Sequence, residues 1–189
     1  MSIRIIAGKF KGICIDVPNS ARATLSRARQ SLFDILESSK IDRDIGEFFK
    51  DKVVLDCFAG SGAVGIEALS RSAKHAYFVD IDTDAAKMIK ANIAKVKAEK
   101  FSTLICSDIL KIKKSEQSCD FVFLDPPFHA NISIEKIVNY LVKNGWVNSQ
   151  TIIAIETPTL FDTLQGFKML FARRIGTISF SAFKHGELS

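Results

Sequence analysis

The residue types most able to do chemistry in this chain stand together at Asp125-Pro126-Pro127-Phe128. They follow Phe121-Val122-Phe123-Leu124, an apolar run that reads as a fully buried strand. A carboxylate is thereby expected at a strand's carboxyl end, the edge at which an open parallel sheet receives ligands. Two successive prolines hold the loop backbone extended and remove two amide donors. Asp125 and the Pro126 carbonyl remain as acceptors, and Phe128 offers a flat apolar face. That set suits a planar base bearing an exocyclic amine. The plainer alternative is a Pro-rich turn after a core strand, and the rest of the chain weighs between the two.

A second constellation is Asp56-Cys57-Phe58-Ala59-Gly60-Ser61-Gly62, which joins a strand to a helix. Gly60 and Gly62 let the backbone turn sharply and approach a small molecule closely. Gly60-Ser61-Gly62-Ala63-Val64-Gly65 also matches G-x-G-x-x-G, so a nicotinamide or flavin nucleotide stays open as a ligand. The next strand ends Phe78-Val79-Asp80-Ile81-Asp82, which puts Asp80, with Ile81 beside it, where a carboxylate can accept from both hydroxyls of a ribose. Asp82 reads more simply as a helix cap. After the third strand, Asp108 can accept from an adenine amine or serve as a turn residue. Asp56, Asp80, Asp108 and Asp125 thus all fall at carboxyl ends of expected strands.

The elements that must position these groups alternate. Strands are expected at 53–55, 76–79, 101–106, 121–124 and 152–155, with helices at 62–71, 83–97 and 134–143 and another around Ile109. Such alternation requires a mostly parallel, doubly wound α/β sheet with helices on both faces. Residues 168–175 and 177–184 are β-rich runs meeting at Gly176 and read as a C-terminal antiparallel hairpin. Residues 3–17 read as an N-terminal β-hairpin turning at 7–12. A helix follows from Thr24 to about Lys40, with Thr24 or Ser26 as cap and Ala28, Leu32, Ile35 and Leu36 at helical spacing. A chain of 189 residues fits one domain, with a hairpin-and-helix part (1–40) and a core (53–184).

Charge is unevenly placed. Residues 1–30 hold Arg4, Lys9, Lys11, Arg22, Arg27 and Arg29 against Asp16 alone, a balance equal to the chain's whole formal net charge of +5. A basic arm on a neutral body is the footprint of a phosphate-backbone partner, with a solvated arm as the alternative. Phe10 between Lys9 and Lys11 is read as packing before stacking on nucleic acid. Cys14, Cys57, Cys106 and Cys119 show no C-x-x-C spacing and read as reduced core thiols. His75, His129 and His185 are too dispersed for a metal cluster, so no metal is expected. No apolar run is long enough to span a bilayer and no secretory signal is visible, so the expected location is the cytoplasm.

With D-x-F-A-G-S-G, V-D-I-D and D-P-P-F in this order, the chain resembles class I S-adenosylmethionine-dependent methyltransferases. More closely it resembles the bacterial 16S rRNA guanine-N2 methyltransferases of the position-966 class. The likeness rests on Arg4-Ile5-Ile6-Ala7-Gly8 with Lys11-Gly12, Arg22-x-Thr24-x-x-Arg27-x-Arg29, Leu32-Phe33, Leu55 to Gly62, Glu67-Ala68-Leu69-Ser70-Arg71 and Asn144-Gly145-Trp146. Ala23 and Gln30 stand where that family usually has proline and glutamate. The resemblance implies a Rossmann-like methyltransferase sheet, S-adenosylmethionine as methyl donor with S-adenosylhomocysteine as product, and 16S rRNA or the 30S particle as partner. Catalytic roles fall on Asp125, Pro126, Pro127 and Phe128. Cofactor contacts fall on Asp56, Phe58, Ala59, Gly60, Ser61, Gly62, Asp80, Ile81 and Asp108, and RNA contacts on the six arm cations. A monomer is expected. Three alternatives stand beside this reading: an amino-methyltransferase acting on DNA or another RNA base, a nucleotide-dependent oxidoreductase, and a noncatalytic RNA-binding protein.

Overall fold

The computed structural model describes residues 1–18, 24–38, 47–127 and 133–185, with side chains from Arg27 onward in the second segment. Arg22, Ala23, Phe128 and His129 lie outside the described residues. A two-stranded antiparallel sheet of β1 (Ser2–Arg4) and β2 (Cys14–Asp16) precedes α1 (Thr24–Leu36). The core then runs β3 (Val53–Cys57), α2 (Ala63–Ser70), β4 (His75–Asp80), α3 (Thr83–Lys95), β5 (Ser102–Cys106), β6 (Phe121–Leu124), α4 (Ile134–Lys143), β7 (Ile152–Thr157), β8 (Phe167–Ile175) and β9 (Ile178–His185).

These seven core strands form one sheet in the order β5-β4-β3-β6-β7-β9-β8. The first five are parallel, and β9 enters antiparallel between β7 and β8. The fold is therefore the expected Rossmann-like sheet with a C-terminal antiparallel hairpin. The chain builds outward from β3 to β4 and β5, then returns to place β6 on β3's other side. The carboxyl ends of β3 and β6 consequently flank the switch point of the sheet, where a crevice opens.

Every residue of β3 and β6 is buried, because helices cover both faces. Alternate side chains sort cleanly. Val54, Phe78, Phe121, Phe123 and Ala154 join one core with residues of α1, α2 and α3, among them Phe33, Ile66 and Ile89. Leu55, Val79, Val122, Leu124 and Ile155 join another with Ile137, Val138 and Leu141 of α4. Phe48 and Phe49, in the segment before β3, dock edge-on against Phe121, with ring centroids 5.9 and 5.4 Å away.

The N-terminal hairpin is pinned to this core by buried polar groups. Glu67 on α2 is fully buried and accepts the backbone N–H groups of Ile6 at 2.8 Å and Ala7 at 3.0 Å. Asn92 on α3 accepts from Asp16 N–H and donates to the carbonyls of Asp16 and Ser61, linking the hairpin to the glycine loop.

Two expectations need correction. Cys57 and Cys119 are core thiols, but Cys14 and Cys106 are exposed. Cys14 occupies an outward position of β2, and Cys106 ends β5 at the sheet's edge, so apolar neighbours in sequence did not mean burial. Around Ile109 the chain makes only a single 3-10 turn, Ile109–Lys111.

Candidate active site

The glycine loop is held from three sides. Asp80 at the end of β4 accepts from Gly60 N–H at 2.8 Å and from Asp82 N–H at 2.9 Å. Ala59 N–H donates to the Val79 carbonyl, and Asn92 holds the Ser61 carbonyl. Asp56 accepts from Gly65 N–H at 2.9 Å, fastening the strand end to the first turn of α2. Gly60 adopts φ +56°, and a side chain there would project into open space with only the Phe58 carbonyl near it, at 3.9 Å. Backbone exposed in this way is a cradle for a close ligand. Gly62 faces Phe78 instead and caps α2 with φ +76°. Phe58 takes a left-handed conformation, φ +58°, which costs a large residue about 1–3 kcal/mol and is held by the surrounding contacts.

Phe58 stands between two cavities. One, of about 200 Å³, is lined by Phe58, Asp80, Ile81, Ser107, Asp108 and Leu110. Ile81 is 67% exposed there and presents an apolar face at the rim. Asp108 caps the 3-10 turn by accepting from Leu110 N–H at 2.9 Å, as the turn reading anticipated, while its side chain still borders the cavity. Asp82 caps α3 by accepting from Asp84 N–H at 2.8 Å.

The other cavity, of about 220 Å³, opens at the switch point. Asp56, Phe58, Ala59, Gly60 and Ser61 form its loop side, and Phe123, Asp125, Glu156 and Phe180 form its sheet side. Ile3, Pro18, Arg29 and Leu32 close it from the hairpin and α1. The basic arm therefore also builds a wall of the site. Pro126 is buried and Pro127 exposed just beyond Asp125.

Burial sets the electrostatics. Asp56 is pushed up to about 8, chiefly by desolvation and further by the charges of Asp125 and Asp80, against the opposing bond from Gly65. Desolvation raises Asp125 to about 6, and desolvation together with the Asp125 charge raises Glu156 to about 8. Glu156 follows the expected strand 152–155 directly, and the sequence reading does not single it out. An acidic residue closing an apolar strand was the same signal that marked Asp125.

Of the arm cations, Arg4, Lys9, Lys11 and Arg27 are exposed. Lys9 lies over the rings of Phe10 and Phe101, 4.9 and 5.1 Å from their centroids. Arg29 does not join them. It is 5% exposed, donates through Nη2 to the Arg4 carbonyl at 2.7 Å and lines the cavity, and burial lowers its pKa. Helical spacing explains the correction: Arg29 precedes Leu32 and Phe33 by three and four residues and shares their inward face. Gln30 bonds Asp34 at 2.8 Å, one turn along α1. Among the described residues, no group of three or more His, Cys, Asp or Glu side chains could hold a metal ion, and no helix is long and apolar enough to cross a membrane.

Removing Asp80 should loosen the loop and strip the candidate ribose contacts together. Because bonds to a charged group are worth roughly 1.5–3 kcal/mol each, Asp80→Ala should weaken S-adenosylhomocysteine binding by at least about tenfold, read by calorimetry. A folded variant with wild-type affinity removes Asp80 from the site.

A parallel sheet with a glycine loop after its first strand, acids at successive strand ends and an antiparallel hairpin at its close is a Rossmann-like sheet of the kind found in methyltransferases. Residues 3–184 match the family described as Conserved hypothetical protein 95, and the chain belongs to that family. It is 32% identical to Ribosomal RNA small subunit methyltransferase D of Haemophilus influenzae over 97% of this chain and 94% of that one. With the protein of the same name from Escherichia coli K12 the identity is 34%, over 82% and 74% of the two chains. The solved structure of Escherichia coli yhhF matches with a TM-score of 0.82 at 29% identity, over 98% of both chains.

Proposed function

We propose that the protein transfers a methyl group from S-adenosylmethionine to the exocyclic N2 amine of a guanine in 16S rRNA, at the position-966 class of site, acting as a cytoplasmic monomer on rRNA or the 30S particle. The observation that carries this reading is the cavity at the switch point, where Asp125 and the glycine loop face one another across a space walled by Phe123 and Phe180. The names of the relatives support rRNA as the substrate class, and the finer choice of base and position rests on the resemblance to the position-966 family along nearly the whole chain.

S-Adenosylmethionine supplies a methyl group on a positively charged sulfur, ready for direct displacement. The residues present fit that molecule. Asp80 retains lone pairs for a ribose, and the cavity between Ile81 and Asp108 suits a flat base with an amine at its edge. Gly60 leaves backbone open beside the second cavity. The chain's own task is the nucleophile. A guanine amine donates its lone pair into the ring, so hydrogen bonds from its protons to Asp125 and the Pro126 carbonyl would hold electron density on nitrogen and aim it. Catalysis then consists of alignment and preorganised acceptors. Phe128 is assigned to stack the target base, which leaves its own stack to enter. Arg4, Lys9, Lys11 and Arg27, with Arg22 beside them in sequence, are assigned to phosphates; Arg29 is assigned to the cavity wall.

Lys11→Ala with Arg27→Ala should therefore weaken RNA binding and reduce its salt dependence, the slope of log K against log salt falling by about 1.5 for two lost phosphate contacts. Cofactor binding should be unchanged, and an unaltered slope in the folded double variant would make the arm a solvated surface. The function itself is tested by methyl transfer to naked rRNA, free 30S subunits and duplex DNA. Incorporation into rRNA or 30S is expected, and incorporation into DNA alone would refute the reading.

A further inference from the structure

Glu156 lines the same cavity as Asp125 and is 6% exposed. A carboxyl group buried beside another is costly to ionise, and its place in the sheet is specific. β6 and β7 are parallel with Leu124 opposite Ile155, so Asp125 and Glu156 follow as neighbours at two adjacent strand ends. Both alternate to the face that carries Phe123 and Ala154, and Phe180 lies opposite Glu156 on β9. Two acceptor groups thus stand side by side, roughly one strand spacing of about 4.8 Å apart at the backbone, between apolar walls.

We infer that Glu156 is a specificity-determining residue for the target base, accepting a hydrogen bond from guanine N1–H while Asp125 takes the neighbouring N2 amine. This rests on the proposed guanine-N2 reaction and adds to it a reason why guanine enters. Guanine alone among the RNA bases presents two adjacent donors, N1–H and N2–H, on its pairing edge. Adenine and cytosine place a bare ring nitrogen beside their amine, and uracil has a single donor between two carbonyls. With Glu156 ionised the pair matches the first pattern, and a bond from guanine N1–H favours that ionised form. Against the others they leave a lone pair facing a lone pair.

The test uses the target rRNA hairpin with either guanine or 2-aminopurine at the modified position. 2-Aminopurine keeps the N2 amine but carries a bare N1 and no O6. Above about pH 8, where Glu156 is ionised, the wild-type enzyme should prefer guanine by about a hundredfold or more in kcat/KM, since a site built around a donor rejects an analogue that lacks it. Glu156→Gln supplies an amide donor to the bare N1 and is expected to compress that preference by at least about tenfold. Loss of O6 is common to both enzymes and cancels in the comparison.

Acidity gives a second readout. Asp125 from β6, Asp56 from β3 and Arg29 from α1 are the other charged groups lining the cavity, and Glu156 among them is pushed up to about 8. Its protonated form can donate to a bare N1. The wild-type preference for guanine should therefore grow as pH rises toward and through about 8, and in Glu156→Gln this growth should vanish. Retained guanine methylation by Glu156→Gln with an unchanged preference overturns the role of Glu156 and leaves the proposed function standing. If that variant fails to fold, a wild type that methylates both hairpins equally overturns it instead. A wild type that methylates no guanine in the hairpin or in rRNA overturns the proposed function and this inference together.

Discussion

Asp125→Ala is expected to lower kcat by on the order of a hundredfold to a thousandfold, the usual loss for one preorganised hydrogen bond at a reacting centre. Affinity for S-adenosylhomocysteine should change little, because the carboxylate is assigned to the amine and not to the methyl donor. Single-turnover kinetics beside calorimetry separate the two quantities. The pH dependence has a definite sign. Burial raises Asp125 to about 6, so the accepting carboxylate prevails at neutral pH and is lost as pH falls through about 6. Methyl transfer should fall with it, and Asp125→Asn should flatten that limb of the profile. Near-normal turnover by Asp125→Ala would remove the residue from the chemistry.

Glu67→Ala should produce the largest loss of stability. Its carboxylate is fully buried and serves two backbone donors of the N-terminal hairpin and Arg71 Nε at 3.0 Å. Arg71 is itself nearly buried and also pairs with Glu37. Truncation strands two amides and half of a buried ion pair, a loss of about 3–5 kcal/mol. At roughly 2–4 °C per kcal/mol for a chain of this size, the melting temperature should drop by about 6–20 °C. Residues 1–17 should also become the first site of limited proteolysis, since among the described residues only Ser70, which bonds Phe10 N–H and the Ala7 carbonyl, then ties them to α2 by hydrogen bonds. A variant melting within about 2 °C of wild type would show that the hairpin is held elsewhere.

Period and punctuation made much of this architecture legible. Apolar runs at 121–124 and 152–155 could only be buried strands, and Gly176 between two β-rich runs announced the final hairpin. Asp80 and Asp125 are legible as cavity-lining candidates because an acid ending an apolar run in a parallel sheet sits at the ligand edge, and both line cavities there. Glu156 also ends an apolar run, but no proline or motif follows it to mark it out as Pro126-Pro127 mark Asp125. Arg29 was grouped with the exposed cations by charge, although its spacing from Leu32 and Phe33 turns it inward. Glu67 was part of a recognised string, but its role joins residues sixty positions apart and depends on how the hairpin docks on α2. No local pattern carries that information. The same holds for the pairing of Asp125 with Glu156, which exists only because β7 lies beside β6.

The proposed reaction requires the cavity between β3 and β6 to present a guanine's N2 amine for methylation. The most direct measurement is transfer of labelled methyl from S-adenosylmethionine to 30S subunits lacking the modification, followed by digestion of the 16S rRNA and mass-spectrometric identification of the methylated nucleoside and its position. N2-methylguanosine at a single small-subunit position, lost with Asp125→Ala, is the expected result. Label recovered as methyladenosine or methylcytidine, or as guanosine methylated on a ring nitrogen, would contradict the account.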